Sequence, residues 1–280
     1  MRTASTTIRN TSFQWGTHTY IMGIVNVSPD SFSGDGVSTT EATIEQGLRL
    51  VAEGADIIDV GGESTRPGSA PLDASAEIER VIPVVQALRA RVDIPVSVDT
   101  YKYEVASEAV RAGADAVNDI WGLKHDARLA DLAAEHGCAM VLMSNQRDVS
   151  PKHNVVFPDI VATVVDDLLR ATALAISRGC DSSRLIIDPG VGFGKTQPQN
   201  IEILRRLEEL NRLEFPLLIG SSRKSVLGYI LDLPPSERLE ATAATVALAI
   251  AKGADLVRVH DVREMRRVCK VTDAIVRGTT

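Results

Sequence analysis

Short apolar runs rich in β-branched residues alternate along this chain with longer segments whose apolar positions recur at helical spacing. The runs cover 20–26, 56–61, 95–100, 114–118, 138–143, 184–188, 216–220 and 255–260, which predicts eight strands. Pieces between them, such as 40–53, 74–91, 102–112 and 159–178, read as amphipathic helices. Regular alternation of strand and helix implies parallel βαβ units with right-handed crossovers. Eight such units close into an α/β barrel of the (β/α)8 TIM type, whereas an open doubly wound sheet normally has fewer strands and a glycine-rich dinucleotide turn after the first. No linker rich in Pro, Gly or Ser divides the chain, so 1–280 reads as one domain with 1–19 as a short N-terminal lead-in.

Three helix-to-strand junctions repeat the same tripeptide, at Gly54-Ala55-Asp56, Gly113-Ala114-Asp115 and Gly253-Ala254-Asp255, where glycine suits a helix C-cap. Long irregular stretches at 27–39, 62–73, 144–157 and 189–199 follow the first, second, fifth and sixth strands. They fall on the C-terminal face, where barrel enzymes keep their chemistry, and read as lids. Polar residues end the apolar runs: Asn26, Asp99, Asn118, Asp188, and Arg258 with His260. Barrel closure brings them round one cavity, where a carboxylate that loses hydration needs a bound donor, a cation or a proton. Any one of them serves as readily as a helix cap, but the set points to a site. Asp59 lies inside its strand and its role stays open, either supporting the neighbouring loop or touching substrate.

Composition narrows the choice. With 280 residues and 44% hydrophobic content the chain can bury a large core. A net charge of −7 offers no polycationic surface for nucleic acid or anionic lipid, while a local basic pocket remains compatible with it. Cys138, Cys180 and Cys269 are an odd number at wide spacing, read as buried thiols of a cytoplasmic, reducing compartment. Neither a signal-peptide-like stretch nor a membrane span is predicted.

The segment from Asp188 to Thr196 ends in Gly-Lys-Thr but has no glycine at the earlier position a phosphate loop requires. Its glycines are expected to let backbone approach a flat ligand, with Phe193 as one wall. Ser221-Ser222-Arg223-Lys224-Ser225 starts a helix with two cations, which oppose the helix dipole and so require another partner; an anionic or carbonyl-bearing ligand and plain solvation both meet that need. His18, His125, His136 and His153 are scattered without metal-ligand spacing, and Trp121 reads as a packing residue.

Taken in order, several of these motifs resemble the dihydropteroate synthase family. They are Asn26-Val27-Ser28-Pro29-Asp30-Ser31-Phe32-Ser33, Gly61-Gly62-Glu63-Ser64-Thr65-Arg66-Pro67-Gly68, Ser97-Val98-Asp99-Thr100, Asn118-Asp119-Ile120, Asp188-Pro189-Gly190-Val191-Gly192-Phe193-Gly194-Lys195, Ser222-Arg223-Lys224-Ser225 and Arg258-Val259-His260-Asp261. The resemblance runs from about Tyr20 to the C-terminus and itself implies the barrel. It implies a transferase that condenses dihydropterin methyl diphosphate with p-aminobenzoate, giving 7,8-dihydropteroate and diphosphate for folate synthesis. Asp99, Asn118, Asp188 and Lys224 would then bind the pterin, and Asn26, Thr65, Arg258 and His260 the diphosphate. Mg²⁺ is implied as cofactor with Asn26 as its protein ligand, and Asp99, Lys224, Arg258 and His260 as the catalytic group. Phe32, Arg66, Pro67, Phe193 and Ser222 would line the p-aminobenzoate pocket, the first two loops closing over the pterin.

The sequence departs from many relatives at Gly34-Asp35-Gly36, which leaves the role of Asp35 open, and at Ser144, where histidine is common; Ser144 is given no catalytic role. A homodimer is implied by family analogy, with 238–252 and 261–276 as candidate surfaces. Competition by sulfonamides against p-aminobenzoate is expected as well. Two other readings compete: a folate-binding methyltransferase domain and a silent pterin-binding paralogue. Thr65-Arg66, Arg258 and His260 favour the synthase over the former, since a methyl donor has no diphosphate to hold, and the intact motif set opposes the latter.

Overall fold

The computed structural model describes residues 3–27, 39–63 and 71–279. A short antiparallel hairpin, β1 (Ser5–Ile8) and β2 (Thr11–Gln14), precedes eight parallel strands. These are β3 (Tyr20–Asn26), β4 (Ile57–Gly61), β5 (Val96–Asp99), β6 (Ala116–Asp119), β7 (Ala139–Met143), β8 (Leu185–Asp188), β9 (Leu218–Ile219) and β10 (Leu256–Val259). They lie in the order β8-β7-β6-β5-β4-β3-β10-β9, and a parallel bridge between Ile187 and Leu217 joins the two ends, closing the barrel. All eight strands fall where the apolar runs predict them. Strand β9 is reduced to two residues because Pro216 brings no N–H to the ladder and serves only as acceptor, from Ile187.

The helices are α1 (Thr39–Ala52), α2 (Ala74–Arg89), α3 (Tyr103–Arg111), α4 (Arg128–His136), α5 (Ile160–Ser177), α6 (Gln197–Arg205), α7 (Ser225–Leu231), α8 (Leu239–Ala251) and α9 (Val262–Val276). Among the described residues, no helix is long and apolar enough to cross a membrane. Strand side chains alternate between two apolar compartments. Ile21, Val25, Ile58, Val98, Val117, Leu142, Ile187 and Val257 point outward into the layer shared with the helices. Met22, Ile57, Ala116, Ala139, Val141, Ile186, Leu218 and Leu256 point inward. Period two then decides where the chemistry sits. Two residues beyond Ile57, Ala116, Ile186 and Leu256 come Asp59, Asn118, Asp188 and Arg258, which face the same interior one layer higher, at the C-terminal end.

The described part of the lead-in, 3–19, is a built part of the barrel. Ile8, Phe13 and Trp15 join the inward-facing cluster, with Phe13 and Trp15 packed 4.8 and 5.4 Å from the Tyr20 ring. The Tyr20 hydroxyl accepts the Gln14 N–H at 2.7 Å, and Trp15 Nε1 donates to Thr6 Oγ1 at 2.7 Å. The hairpin thus plugs the N-terminal end and keeps water from the apolar floor beneath the site. The Gly-Ala-Asp junctions do more than cap helices. Their glycines adopt φ of +102°, +107° and +99°, while Asp56, Asp115 and Asp255 accept the N–H of Ile21, Val96 and Leu217 at the start of a neighbouring strand.

Two of the four long loops differ from the expected lids. After β7, Ser144, Asn145, Gln146 and Ser150 are buried, with Ser144 Oγ and Gln146 Nε2 both donating to Asp167 of α5 at 3.0 Å. After β8, the loop is tied to this one through Lys195. Where they meet, both are framework: Lys195 Nζ donates to the carbonyls of Ser144, Gly190 and Phe193, and the Gln146 N–H donates to the Phe193 carbonyl. The loops after β3 and β4 include 28–38 and 64–70, outside the described residues, and with them Phe32, Asp35, Thr65, Arg66 and Pro67.

Candidate active site

Arg258 organises the C-terminal mouth. Its Nε donates to Asp59 Oδ2 and its Nη2 to Asp99 Oδ2, each at 2.6 Å. The same Asp59 oxygen accepts Asn118 Nδ2 at 2.9 Å. Strands β4, β5, β6 and β10 therefore meet in one buried network. Burial pushes the Asp99 carboxyl up to about 7, against the Arg258 charge and with the help of Asp59. Arg258 is held above its ordinary value, since Asp59 and Asp99 outweigh the cost of burial.

At the end of β8, Asp188 is buried with Oδ1 accepting the Gly190 N–H at 2.7 Å. Burial raises its pKa, opposed by that hydrogen bond and by Lys224. The Lys224 ammonium lies 4.2 Å from the Phe193 ring centre. Burial and then Arg258 bring it down to about 8, so it still carries its proton at pH 7. Phe193 packs with Ile120 and Met143, and with partly buried Tyr101 and Trp121, as an apolar wall beside Asp188. Carboxylate acceptors and a cation bordering an apolar wall suit a flat heterocycle with several N–H donors.

The two cations at the start of α7 divide. Arg223 is paired with Asp261 through Nε at 3.0 Å and through Nη2, so it is accounted for within the protein, and Lys224 alone faces the site. Ser222 Oγ pairs with His260 Nδ1 at 3.0 Å and accepts the His260 backbone N–H at 3.2 Å. Burial, followed by the nearby Arg223 and Arg258, depresses His260 to about 4 and leaves the imidazole neutral near pH 7. The structure therefore places Ser222 with His260. Asn26 is exposed at the C-terminal end of β3, with Gly61 as its register partner.

The glycines after β8 serve a different purpose from the one expected. A Cβ on Gly190 would stand 2.0 Å from the Ser144 carbonyl oxygen, and one on Gly194 would stand 2.2 Å from the Gln146 carbonyl carbon. They let two loops of the protein pack together, and only Gly192 approaches Lys224. Lys195 is 1% exposed and donates to the carbonyls of Ser144, Gly190 and Phe193 at 2.8, 2.9 and 3.2 Å. Its ammonium is spent on backbone and is not turned toward a phosphate, in keeping with the missing earlier glycine. Burial drives Lys195 down to about 7, yet three carbonyls need three N–H donors, which only the ammonium supplies. Lys195→Met keeps the length and orphans all three acceptors. A loss on the order of 3 kcal/mol or more is expected, read as a fall of about 10 °C in a thermal melt.

Asp119, within the same motif as Asn118, is turned away from the mouth. It accepts the N–H groups of Trp121 and Leu123 at 2.8 and 2.6 Å, and burial raises it to about 6. Arg147, 4.5 Å from the Phe193 ring centre, and Met143 carry no motif in the sequence, and the chain's folding brings them to Phe193 and to Ile120 of the Asn118-Asp119-Ile120 motif. Cys138, Cys180 and Cys269 are buried free thiols far from this network, raised by burial to about 11, 11 and 12. Among the described residues, no group of three His, Cys, Asp or Glu side chains is placed to cage a metal ion.

The family model for pterin binding enzymes matches residues 22–260. A dihydropteroate synthase of Bacillus subtilis (strain 168) is 45% identical over 259 residues, covering 92% of this chain and 89% of its own. The chain belongs to the dihydropteroate synthase family. Solved structures agree: dihydropteroate synthase from Clostridium difficile in the presence of pteroic acid superposes with a TM-score of 0.90 at 46% identity, covering 95% of this chain and 99% of that one. The Xanthomonas albilineans dihydropteroate synthase with 4-aminobenzoic acid gives 0.90 at 39% identity, covering 97% and 98%. This chain is a transferase of the dihydropteroate synthase kind, and that membership, not the transferase class, sets aside the methyltransferase reading. The matched segment contains every described site residue from Asn26 to His260 and omits the hairpin plug and α9.

Proposed function

We propose that the chain joins dihydropterin methyl diphosphate to p-aminobenzoate through a division of labour among the strand ends. The observation that carries this is the Asp59–Arg258–Asp99 network set at the same mouth as Asp188 and Lys224, whose charges Arg258 feels directly. Asp188 would accept the ring and exocyclic N–H groups of the pterin while Lys224 donates to its carbonyl edge. Arg258 and neutral His260 would hold the diphosphate. In a neutral imidazole, Ser222 donating to Nδ1 leaves Nε2–H free to donate to a phosphate oxygen. As diphosphate leaves the pterin methylene, Asp99 in its carboxylate form stabilises the positive charge on that carbon until the amine attacks.

Asn26 offers one neutral oxygen at the C-terminal end of β3. That donor set fits a magnesium ion held mainly by diphosphate oxygens and water, as Mg²⁺ usually is. Such an ion would neutralise charge on the departing diphosphate. Phe193 supports the reading of an aromatic p-aminobenzoate wall, and three buried free thiols fit a cytoplasmic setting. We infer that the homodimer forms through α7, α8 and α9, where Tyr229, Leu248, Val271 and Ile275 are 61, 60, 61 and 79% exposed, and sedimentation velocity of the purified protein tests this.

The test of function is incubation of the purified chain with both substrates, with and without Mg²⁺, following dihydropteroate and diphosphate. Metal-dependent formation of both is expected, and pterin binding without turnover would overturn the reading. Its pH dependence carries a sign. Asp99 acts as carboxylate and is raised to about 7, so kcat/KM should fall as pH drops through about 7. Asp99→Asn should flatten that acid limb at a much lower rate. An identical limb in the variant would assign it to another group.

A further inference from the structure

We propose that Asp59 is a positioning residue for the reaction, one that sets the polarity of the Asn118 amide and the orientation of the Arg258 guanidinium before substrate arrives. Its strand lies between theirs in the barrel order, two strands from each, so one side chain spans from β10 to β6. Asp59 is fully buried, and its Oδ2 takes both Arg258 Nε and Asn118 Nδ2.

Two consequences follow from donor and acceptor chemistry. A carboxylate only accepts, so Asn118 must turn its NH2 toward Asp59, which presents Oδ1 as an acceptor to whatever occupies the mouth. An N–H-rich pterin ring needs an acceptor there. Arg258 meanwhile spends Nε on Asp59 and Nη2 on Asp99, and among the described residues Nη1 has no protein partner. One end of a planar fork is thereby held by two carboxylates while the other is kept for an anion. The fold alone does not account for this arrangement. Asp59 Oδ1 and the hydroxyl of Ser97, its register partner on β5, are both buried without a hydrogen-bond partner. A buried carboxylate with half its capacity unmet costs stability, and positioning two ligand-binding groups is a reason to keep it.

The experiment compares the unchanged protein with Asp59→Asn, which keeps volume and removes charge. A rise in KM for the pterin diphosphate and a 10- to 100-fold loss of kcat/KM are expected, with the melting temperature unchanged or higher. The acid limb governed by Asp99 should also move to lower pH. Asp99 is faced by Asp59 from β4, Arg258 from β10, Glu77 from α2 and Lys224 before α7. Removing the Asp59 charge takes away a repulsion and frees Arg258 for Asp99, and both changes act in that direction. A merely structural Asp59 would not move the limb. Kinetics within two-fold of the unchanged protein together with an unmoved limb would overturn the proposal.

Should the variant not fold, the Arg258 Nε–H of the unchanged protein decides, its NMR signal assigned by its loss in Arg258→Lys. Exchange with water much slower than at exposed arginines is expected, and exchange at their rate overturns the proposal. The inference rests on the proposed roles of Arg258 and Asn118. An unchanged protein that forms no dihydropteroate overturns that reading, whereas an active protein with a fully active Asn variant overturns only the inference.

Discussion

Replacing Arg258 with alanine is expected to lower kcat/KM for the pterin diphosphate on the order of 10³-fold while weakening a pterin that lacks diphosphate far less. The side chain has two carboxylate partners. Asp59 and Asp99 each hold one nitrogen of the guanidinium at 2.6 Å, and both carboxylates are largely shielded from water. Without Arg258 they face each other with no counter-ion, a change that costs about 3–5 kcal/mol when one partner of a buried pair is removed. Asp99, already raised to about 7, should rise further. Its folded-state pKa then exceeds the unfolded value, so the folded protein binds the extra proton between the two and its stability falls as pH rises through that window. The destabilisation should accordingly be smallest near pH 5 and largest above pH 8. Calorimetric titration with pterins that do and do not carry diphosphate, paired with melts across that range, checks both parts. Equal weakening of the two ligands would remove Arg258 from the diphosphate site.

Asp188→Asn should abolish most pterin affinity and leave the fold intact. The isosteric amide can keep the Gly190 N–H contact with its oxygen, but the other atom then becomes an NH2. In the native chain that second oxygen lies toward Gly220, 3.8 Å from where a Cβ would stand. An NH2 facing the N–H donors of a pterin loses two charge-assisted hydrogen bonds and sets donor against donor. About 3–4 kcal/mol is expected, a rise in Kd of roughly 10²- to 10³-fold. Unchanged pterin affinity would take Asp188 out of the proposed role. Because burial raises Asp188, pterin binding by the native protein should also weaken toward acid pH.

Much of the fold was legible in one dimension because a parallel barrel writes itself as a repeated alternation of period two and period 3.6. The eight apolar runs coincide with the eight strands, and errors gather at their edges. Asp56, Asp115 and Asp255, counted with the strands in the sequence, are the residues that accept an N–H at the start of the neighbouring strand. The hairpin plug was missed because two four-residue strands separated by Arg9 and Asn10 are too short to show a period, and their apolar side chains acquire meaning only against Tyr20 and Met22. Polar residues in the motifs were legible as a set, though not their partners: Arg223 belongs to Asp261, Ser222 to His260, and Lys195 to three carbonyls from two loops.

The sequence by itself determined the barrel class, the strand count, the clustering of Asp99, Asn118, Asp188, Arg258 and His260 at one end, and the resemblance that names the family. These follow from local periodicity and from residue types whose burial has to be compensated. Only the tertiary structure decided that the N-terminal lead-in seals the barrel floor, that the loops after β7 and β8 are framework, and that one oxygen of Asp59 joins Asn118 to Arg258. The two Asp59 contacts join residues 59 and 199 positions apart in the chain. No local pattern encodes them, because they exist only once barrel closure fixes the distances.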